Sequence, residues 1–251
     1  MTLQIASLGA SYGRNQILSE VSTPPIPFGN IVSVVGPNAA GKSTLFKRIA
    51  GLMQGPGEVI IDKTKEKREP TISYMPQISY STARITVFES IALALKQGSS
   101  KWKLSGTELE RVDAILHSIQ IENLAFKNIG DLSGGQLQLV SLAQTLIRDP
   151  DIVLMDEPTS ALDMRRQIQV LDYIRELANG QKKLIFIAIH DLNHALRFSD
   201  LCMVISGGSL AAFGKSDIVI DSSMLRNIYG VSARVEDTSI GFKQVLVESI
   251  V

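Results

Sequence analysis

The chain has 251 residues, enough to bury a full core, and balances 25 Lys+Arg against 25 Asp+Glu, so no basic field recommends nucleic acid as a partner. Its one cysteine, Cys202, excludes an intrachain disulfide and, at the start of an apolar run, reads as a small core residue. No segment reaches the ~20 apolar residues that span a bilayer, and Met1-Thr2-Leu3-Gln4-Ile5 is not a charged leader before an apolar stretch; a cytoplasmic chain is expected, with any membrane contact made through a partner.

Residues 2–35 alternate short apolar runs with Gly, Pro and Asn, which predicts strands and turns. Residues 3–6 and Ile31–Val35 are the clearest strands, while Thr23-Pro24-Pro25-Ile26-Pro27 should be irregular because proline cannot donate to a sheet. A helix is expected over 43–51, with Leu45, Phe46 and Ile49 on its apolar side and Gly51 as its stop. Glu58–Asp62 returns as a strand, and residues 63–70 form a charged surface turn.

From Thr86 to Gly135 the pattern turns helical. Thr86 with Glu89, and Thr107 with Glu110, are read as capping boxes, the second ahead of Leu109, Val112, Ile115, Leu116 and Ile119 at helical spacing. Residues 84–135 are therefore expected to be a helical subdomain inserted within one domain that spans 1–251. Beyond residue 150, strands and helices alternate (152–156, 164–178, 184–189, 192–198, 202–206), which argues for parallel βαβ units. Gly207-Gly208 then supplies a hairpin turn into 210–213.

Three motifs stand on this frame. Gly36-Pro37-Asn38-Ala39-Ala40-Gly41-Lys42-Ser43, followed by Thr44, fits the phosphate-loop pattern, and a strand before it and a helix after it supply the context that pattern requires. Successive backbone N–H groups and a helix N-terminus suit a polyphosphate; Lys42 adds a point charge and the Ser43 hydroxyl suits Mg²⁺. Asp156-Glu157 closes the apolar strand Ile152-Val153-Leu154-Met155, which places both carboxylates beside that loop: Asp156 to hold Mg²⁺, Glu157 to orient or deprotonate an attacking water. Leu132-Ser133-Gly134-Gly135-Gln136 opens an apolar-periodic helix with Ser133 as N-cap and two uncovered glycine amides, a second phosphate-binding device that two-fold pairing of chains would bring over the other copy's nucleotide.

Together these motifs make the chain resemble the ATP-binding cassette family over nearly its whole length. The resemblance implies an α/β fold: a P-loop ATPase core with a mixed, largely parallel sheet, an N-terminal antiparallel β subdomain and the inserted α-helical subdomain. It implies ATP hydrolysis with Mg²⁺ by two copies that sandwich two ATP molecules, with Ser133, Gly134, Gly135 and Gln136 facing the other copy's nucleotide. Tyr12 resembles the aromatic that stacks on adenine, and Gln77 resembles the glutamine that contacts Mg²⁺ and the attacking water. Ser160-Ala161-Leu162-Asp163 resembles the loop that crosses the dimer interface, and His190 resembles the switch histidine at the γ-phosphate. His117 and His194 are given no role.

Two departures stand out: Ala39 where relatives most often carry Gly, and Leu139 where most carry Arg, the latter weakening a usual polar contact and lowering the expected activity. The segment between Gly51 and Gln77 is also shorter than in many members. Pro76-Gln77 with Ser81, Ile85-Thr86-Val87-Phe88-Glu89, His190-Asp191-Leu192-Asn193-His194-Ala195 and Ile228-Tyr229-Gly230-Val231 look like the importers of iron–siderophore, haem or cobalamin complexes, with zinc or manganese importers as the near alternative. A soluble ATPase of iron–sulfur assembly also fits length and composition; a chromosome-maintenance ATPase lacks its heptad insertion here, and a two-cassette translation factor lacks its second phosphate loop. The importer reading implies integral membrane permease subunits as partners, a substrate-binding protein indirectly, and a peripheral position on the inner face of the cell membrane. Residues 78–85, with Tyr80 and Ile85, are the segment expected to meet a short cytoplasmic helix of the permease.

Overall fold

A computed structural model describes residues 1–62, 68–77, 84–98, 103–239 and 241–251. The N-terminal part holds β1 (Thr2–Ala6), β2 (Leu8–Tyr12), β3 (Asn15–Val21), β4 (Ile26–Pro27) and β5 (Ile31–Val35). Next come α1 (Lys42–Ile49), β6 (Glu58–Asp62), β7 (Ile72–Met75), α2 (Val87–Lys96), α3 (Gly106–Ile119) and α4 (Gly134–Leu146). The remainder runs β8 (Ile152–Asp156), α5 (Met164–Gln181), β9 (Leu184–Ala188), α6 (Leu192–Phe198), β10 (Leu201–Ser206), β11 (Ser209–Lys215), β12 (Val231–Asp237) and β13 (Lys243–Ile250).

The central sheet has the order β11-β10-β5-β9-β8-β7, parallel from β10 to β7, with β11 antiparallel at one edge. β5, β8 and β9 are buried at every position because both faces of the sheet are covered, which is why they read as unbroken apolar runs. Alternation sorts their side chains. Leu154 and Phe186 face α1 (Leu45, Phe46, Ile49) and the N-terminal strands, while Val153, Met155, Ile185 and Ile187 face α2–α5 through Ile91, Leu116, Val140 and Ile174. Full burial of each such side chain is worth roughly 1.5–3 kcal/mol against exposure, so the two-sided core fixes the strand register.

β1 lies between β4 and β6 in an antiparallel sheet, and β2 pairs with β3 as a hairpin. The stretch expected to be irregular therefore carries a two-residue strand, Ile26–Pro27. It sits at a sheet edge, where proline's missing N–H costs nothing. The second capping box is also shifted: Ser105 and Glu108 form it, with Glu108 N–H on Ser105 Oγ at 3.3 Å and Ser105 N–H on Glu108 at 2.8 Å. Thr107 is already inside the helix. Lys96 pins Glu108 at 2.8 Å, and that bond, with the Ser105 amide, holds its carboxyl down at about 2. Leu109, expected on the apolar face, is exposed. Part of the turn at 63–70 and most of 78–85, including Ser79, Tyr80 and Ser81, lie outside the described residues.

The C-terminal hairpin β12–β13 packs on α6. Asn193 Oδ1 accepts from Val245 N–H at 2.7 Å, and the Arg197 guanidinium stacks between Phe198 and Phe242 at 4.9 and 5.5 Å. Cys202 is buried and its thiol is pushed up to about 12 by that burial, an inert core residue as read from the sequence. No helix among the described residues is long and apolar enough to cross a membrane.

Candidate functional site

Four neighbouring parallel strands, β5, β9, β8 and β7, deliver their carboxyl ends to one place. The loop 36–41 leaves β5, His190 follows β9, Asp156 and Glu157 end β8, and Gln77 follows β7. Sheet topology thus gathers residues separated by more than a hundred positions in sequence.

Two glycines fix the loop. A Cβ on Gly36 (φ 143°) would lie 2.0 Å from the Ile205 carbonyl oxygen, and one on Gly41 (φ 106°) would meet the Leu18 side chain at 2.7 Å. Gly41 caps α1 without a side-chain bond, so the first helix amides stay open at the positive end. Lys42 is buried and bridges the loop, with Nζ donating to Gly36 O at 2.8 Å and Pro37 O at 3.0 Å. Burial pushes its pKa down, opposed by the charges of Glu157 and Asp156. Ala39 adopts φ 61°, a left-handed backbone that explains why glycine is common there. Tyr229, from a π-turn at Leu225–Tyr229, accepts the Gly36 N–H at 2.9 Å, and its hydroxyl is pushed up to about 12 by burial.

Asp156 is buried, and this raises its pKa; the Ser43 hydroxyl opposes the shift by hydrogen-bonding to it, and Tyr74 Oη donates to its Oδ2 at 3.3 Å. Ser43 and Asp156 put two oxygen donors side by side, the chemistry a hard divalent cation takes, and Gln77, which meets Glu157 through Nε2, carries an amide oxygen at the neighbouring strand end. Glu157 has φ 55° and is held by each carboxylate oxygen: His190 Nε2 at 2.6 Å on Oε1, Gln77 Nε2 at 3.1 Å on Oε2. Tyr12 ends β2 half-exposed, with its ring available to a flat ligand.

Ser133–Gln136 stand apart. Ser133 caps α4 in a capping box with Gln136, and the cavity there, about 580 Å³, is walled by Gln120, Leu139, Ala161, Asp163 and Arg166. Phosphate-loop residues Pro37–Ala40 line a different cavity of about 280 Å³ with Gln16, Ile17 and Gly208. A Cβ on Gly135 would sit 2.8 Å from Ala161 O, whereas one on Gly134 meets only ordinary contact at 3.8 Å. Leu139 is buried in the helical core.

Three further residues were not singled out as site residues from the sequence. Gln138, buried on α4, bonds the backbone of Glu157 and Ala161. Arg48, buried at the end of α1, donates to the carbonyls of Gly9, Met53, Gly55 and Pro56 at 2.7–2.8 Å, tying the phosphate-loop helix to the strand that ends in Tyr12. Tyr74 touches Asp156 from β7. A polar residue on an apolar-periodic helix was the available signal for Gln138.

Residues 23–160, more than half of the chain, match the ABC transporter family. The chain belongs to that family. It is 31% identical to the petrobactin import ATP-binding protein FpuD of Bacillus anthracis over 245 residues (93% of this chain, 88% of the relative). It is 28% identical to the iron(3+)-hydroxamate import ATP-binding protein FhuC of Bacillus subtilis (93% and 90%). Among solved structures it resembles the dimeric post-hydrolysis state of the ATP-binding cassette MJ0796 bound to ADP and Pi (TM-score 0.74, 27% identity, 85% and 98% covered). The α/β fold expected from the motifs is the fold of this cassette, and the chain is an ATP hydrolase of the ABC type.

Proposed function

We propose that this chain powers the import of iron–siderophore-type complexes by hydrolysing ATP as a pair of identical subunits beneath a membrane permease. The convergence of Lys42, Gln77, Asp156, Glu157 and His190 at four adjacent strand ends carries the reading. Gly36, Pro37, Asn38, Ala39, Ala40, Gly41, Lys42, Ser43 and Thr44 hold the phosphates through loop amides and the Lys42 charge, and Tyr12 stacks on adenine. Ser43, Asp156 and Gln77 hold Mg²⁺, which when bound neutralises charge on the phosphate oxygens. Glu157 accepts a proton from the attacking water, with His190 and Gln77 fixing its carboxylate.

The cavity at Ser133–Gln136, separate from the one that the phosphate loop lines, supports pairing: the amides of that motif then serve the nucleotide of a second copy. The similar MJ0796 cassette is dimeric with ADP and Pi. A groove of about 720 Å³ beside Gln77, lined by Leu52, Tyr74, Leu93, Leu137 and Arg148, is where we place the permease helix. The chain would then be cytoplasmic and peripheral on the inner face of the cell membrane, with a substrate-binding protein reached only through the permease. The names of the iron-import relatives favour this cargo over zinc or manganese and over a role in iron–sulfur assembly.

The test is Glu157→Gln, which preserves shape and removes the base. ATP binding should survive, hydrolysis should fall by roughly 10²-fold or more, and light scattering should give a dimer mass with ATP and Mg²⁺ but a monomer mass with ADP. Hydrolysis at the unmutated rate would remove Glu157 from the mechanism, and one mass under both conditions would remove the paired site.

A further inference from the structure

α4 does more than present Ser133–Gln136 outward. Its second turn carries Gln138, whose side-chain amide is buried (1% exposed) and uses both ends on the turn that follows β8. Nε2 donates to the Glu157 carbonyl at 2.6 Å and to Ser160 Oγ at 3.3 Å; Oε1 accepts the Ala161 N–H at 2.9 Å. A buried amide without partners costs free energy, so these bonds tie the helix to the turn. A steric contact adds to them: Gly135 packs so closely on Ala161 that a Cβ would lie 2.8 Å from its carbonyl oxygen.

The turn so held is a strained one. Glu157 is a non-glycine residue at φ 55°, a conformation that persists only where surroundings over-determine it. Its N–H donates to Ala188 O at 3.2 Å, Ser160 Oγ reaches its carbonyl at 3.2 Å, and Gln138 is the shortest bond on that carbonyl. The carboxylate that leaves this backbone is the one His190 and Gln77 grip from the other side.

We infer that Gln138 is a positioning residue that makes α4 and the 157–161 turn one body, so that the helix whose N-terminus serves the partner copy's nucleotide sets the position of Glu157 in its own chain. This rests on the paired ATP-hydrolysing reading above. Each chain then reports, through Gln138, the occupancy of the other copy's phosphates to its own base. A misplacement on the order of 1 Å can cost roughly 10²-fold in rate, so a small rotation of α4 suffices.

The readout is which chain of a mixed pair suffers. Full-length chains are assayed by single-turnover ATP hydrolysis, a trace chain against an excess of a chain disabled by Glu157→Gln. Trace Gln138→Met chain, whose own Glu157 is intact, should hydrolyse at least about tenfold more slowly than trace unmutated chain. Unmutated trace chain against excess Glu157→Gln/Gln138→Met chain should keep its rate, because the substitution there sits beside an already disabled base. Gln138→Glu, near-isosteric and still able to accept from Ala161, should give the same pattern should the methionine variant melt early. A purely structural residue would slow both mixtures alike, and a residue acting through the nucleotide of the partner would slow the second alone; either overturns the inference. A Glu157→Gln chain that keeps a monomer mass with ATP and Mg²⁺ would instead reject the paired reading itself.

Discussion

His190 Nε2 donates to Glu157 Oε1 across 2.6 Å, from the strand end next to the one that carries the carboxylate. Gln77, from the strand on the other side, takes Oε2 at 3.1 Å. The carboxylate is therefore clamped from both flanking strands of the sheet. Each oxygen retains a lone pair, so the clamp fixes orientation without consuming the basicity that a water needs.

His190→Ala should leave the Glu157 carboxylate held on one side only. We expect kcat to fall by roughly 10²-fold, the range that lost orientation and proton handling produce. ATP affinity of the single chain should change little, because the phosphate loop and Lys42 are untouched. Stopped-flow binding of a fluorescent ATP analogue beside steady-state hydrolysis separates the two, and an unchanged kcat would dismiss the clamp.

Asp156 gives the site a pH signature. Its burial raises the folded pKa above the ordinary value of about 3.9. Between the two values the folded chain keeps a proton that the unfolded chain has lost, so this group's stabilising contribution is fullest in acid and declines as pH rises through the folded pKa. Asp156→Asn has no such decline. In nucleotide-free protein, the melting temperature of the variant relative to the unmutated chain should rise as pH climbs above about 4 and level off once the folded carboxyl has ionised. A difference that is flat over that range would contradict the assignment.

The central sheet and the phosphate loop were legible because each has a local signature: unbroken apolar runs such as Ile152-Val153-Leu154-Met155, and a glycine pattern between strand and helix. The gathering of Gln77, Glu157 and His190 was readable only as family likeness, since no local pattern encodes which strands become neighbours. Ser105 and Thr107 offer capping spacings two residues apart, and the choice fell to Lys96, a partner from the preceding helix. Gln138 and Arg48 spend their polarity mainly on backbone groups, so the sequence shows a polar residue beside apolar neighbours and not what it meets. The Gly36–Tyr229 bond spans 193 positions and is equally silent in the sequence.

Ala39 holds φ 61° with a Cβ in place. The left-handed region costs a non-glycine residue roughly 1–2 kcal/mol, and glycine returns part of that gain through its freer unfolded chain. Ala39→Gly should therefore stabilise the protein by up to about 1 kcal/mol, seen as roughly 2–4 °C in calorimetry of the nucleotide-free chain. The residue is exposed and makes no side-chain contact that the change would remove from the core. A lower melting temperature would show that the loop gains more from the restricted alanine backbone than it loses to strain.

The groove beside Gln77 offers the route by which nucleotide state reaches the permease. Leu93, on α2, is an exposed leucine at its wall, an apolar side chain that a docked helix would cover. ATP moves a partner only so far as the partner binds the two nucleotide states differently, so the groove must make contacts that change with Gln77. Leu93→Glu places a charge on that wall without touching the phosphate loop, Asp156 or Glu157. Basal hydrolysis by the isolated chain should stay as it was, while ATP-driven uptake by vesicles reconstituted with the permease and binding protein should be lost. Undiminished uptake by this variant would move the permease contact to another face of the chain.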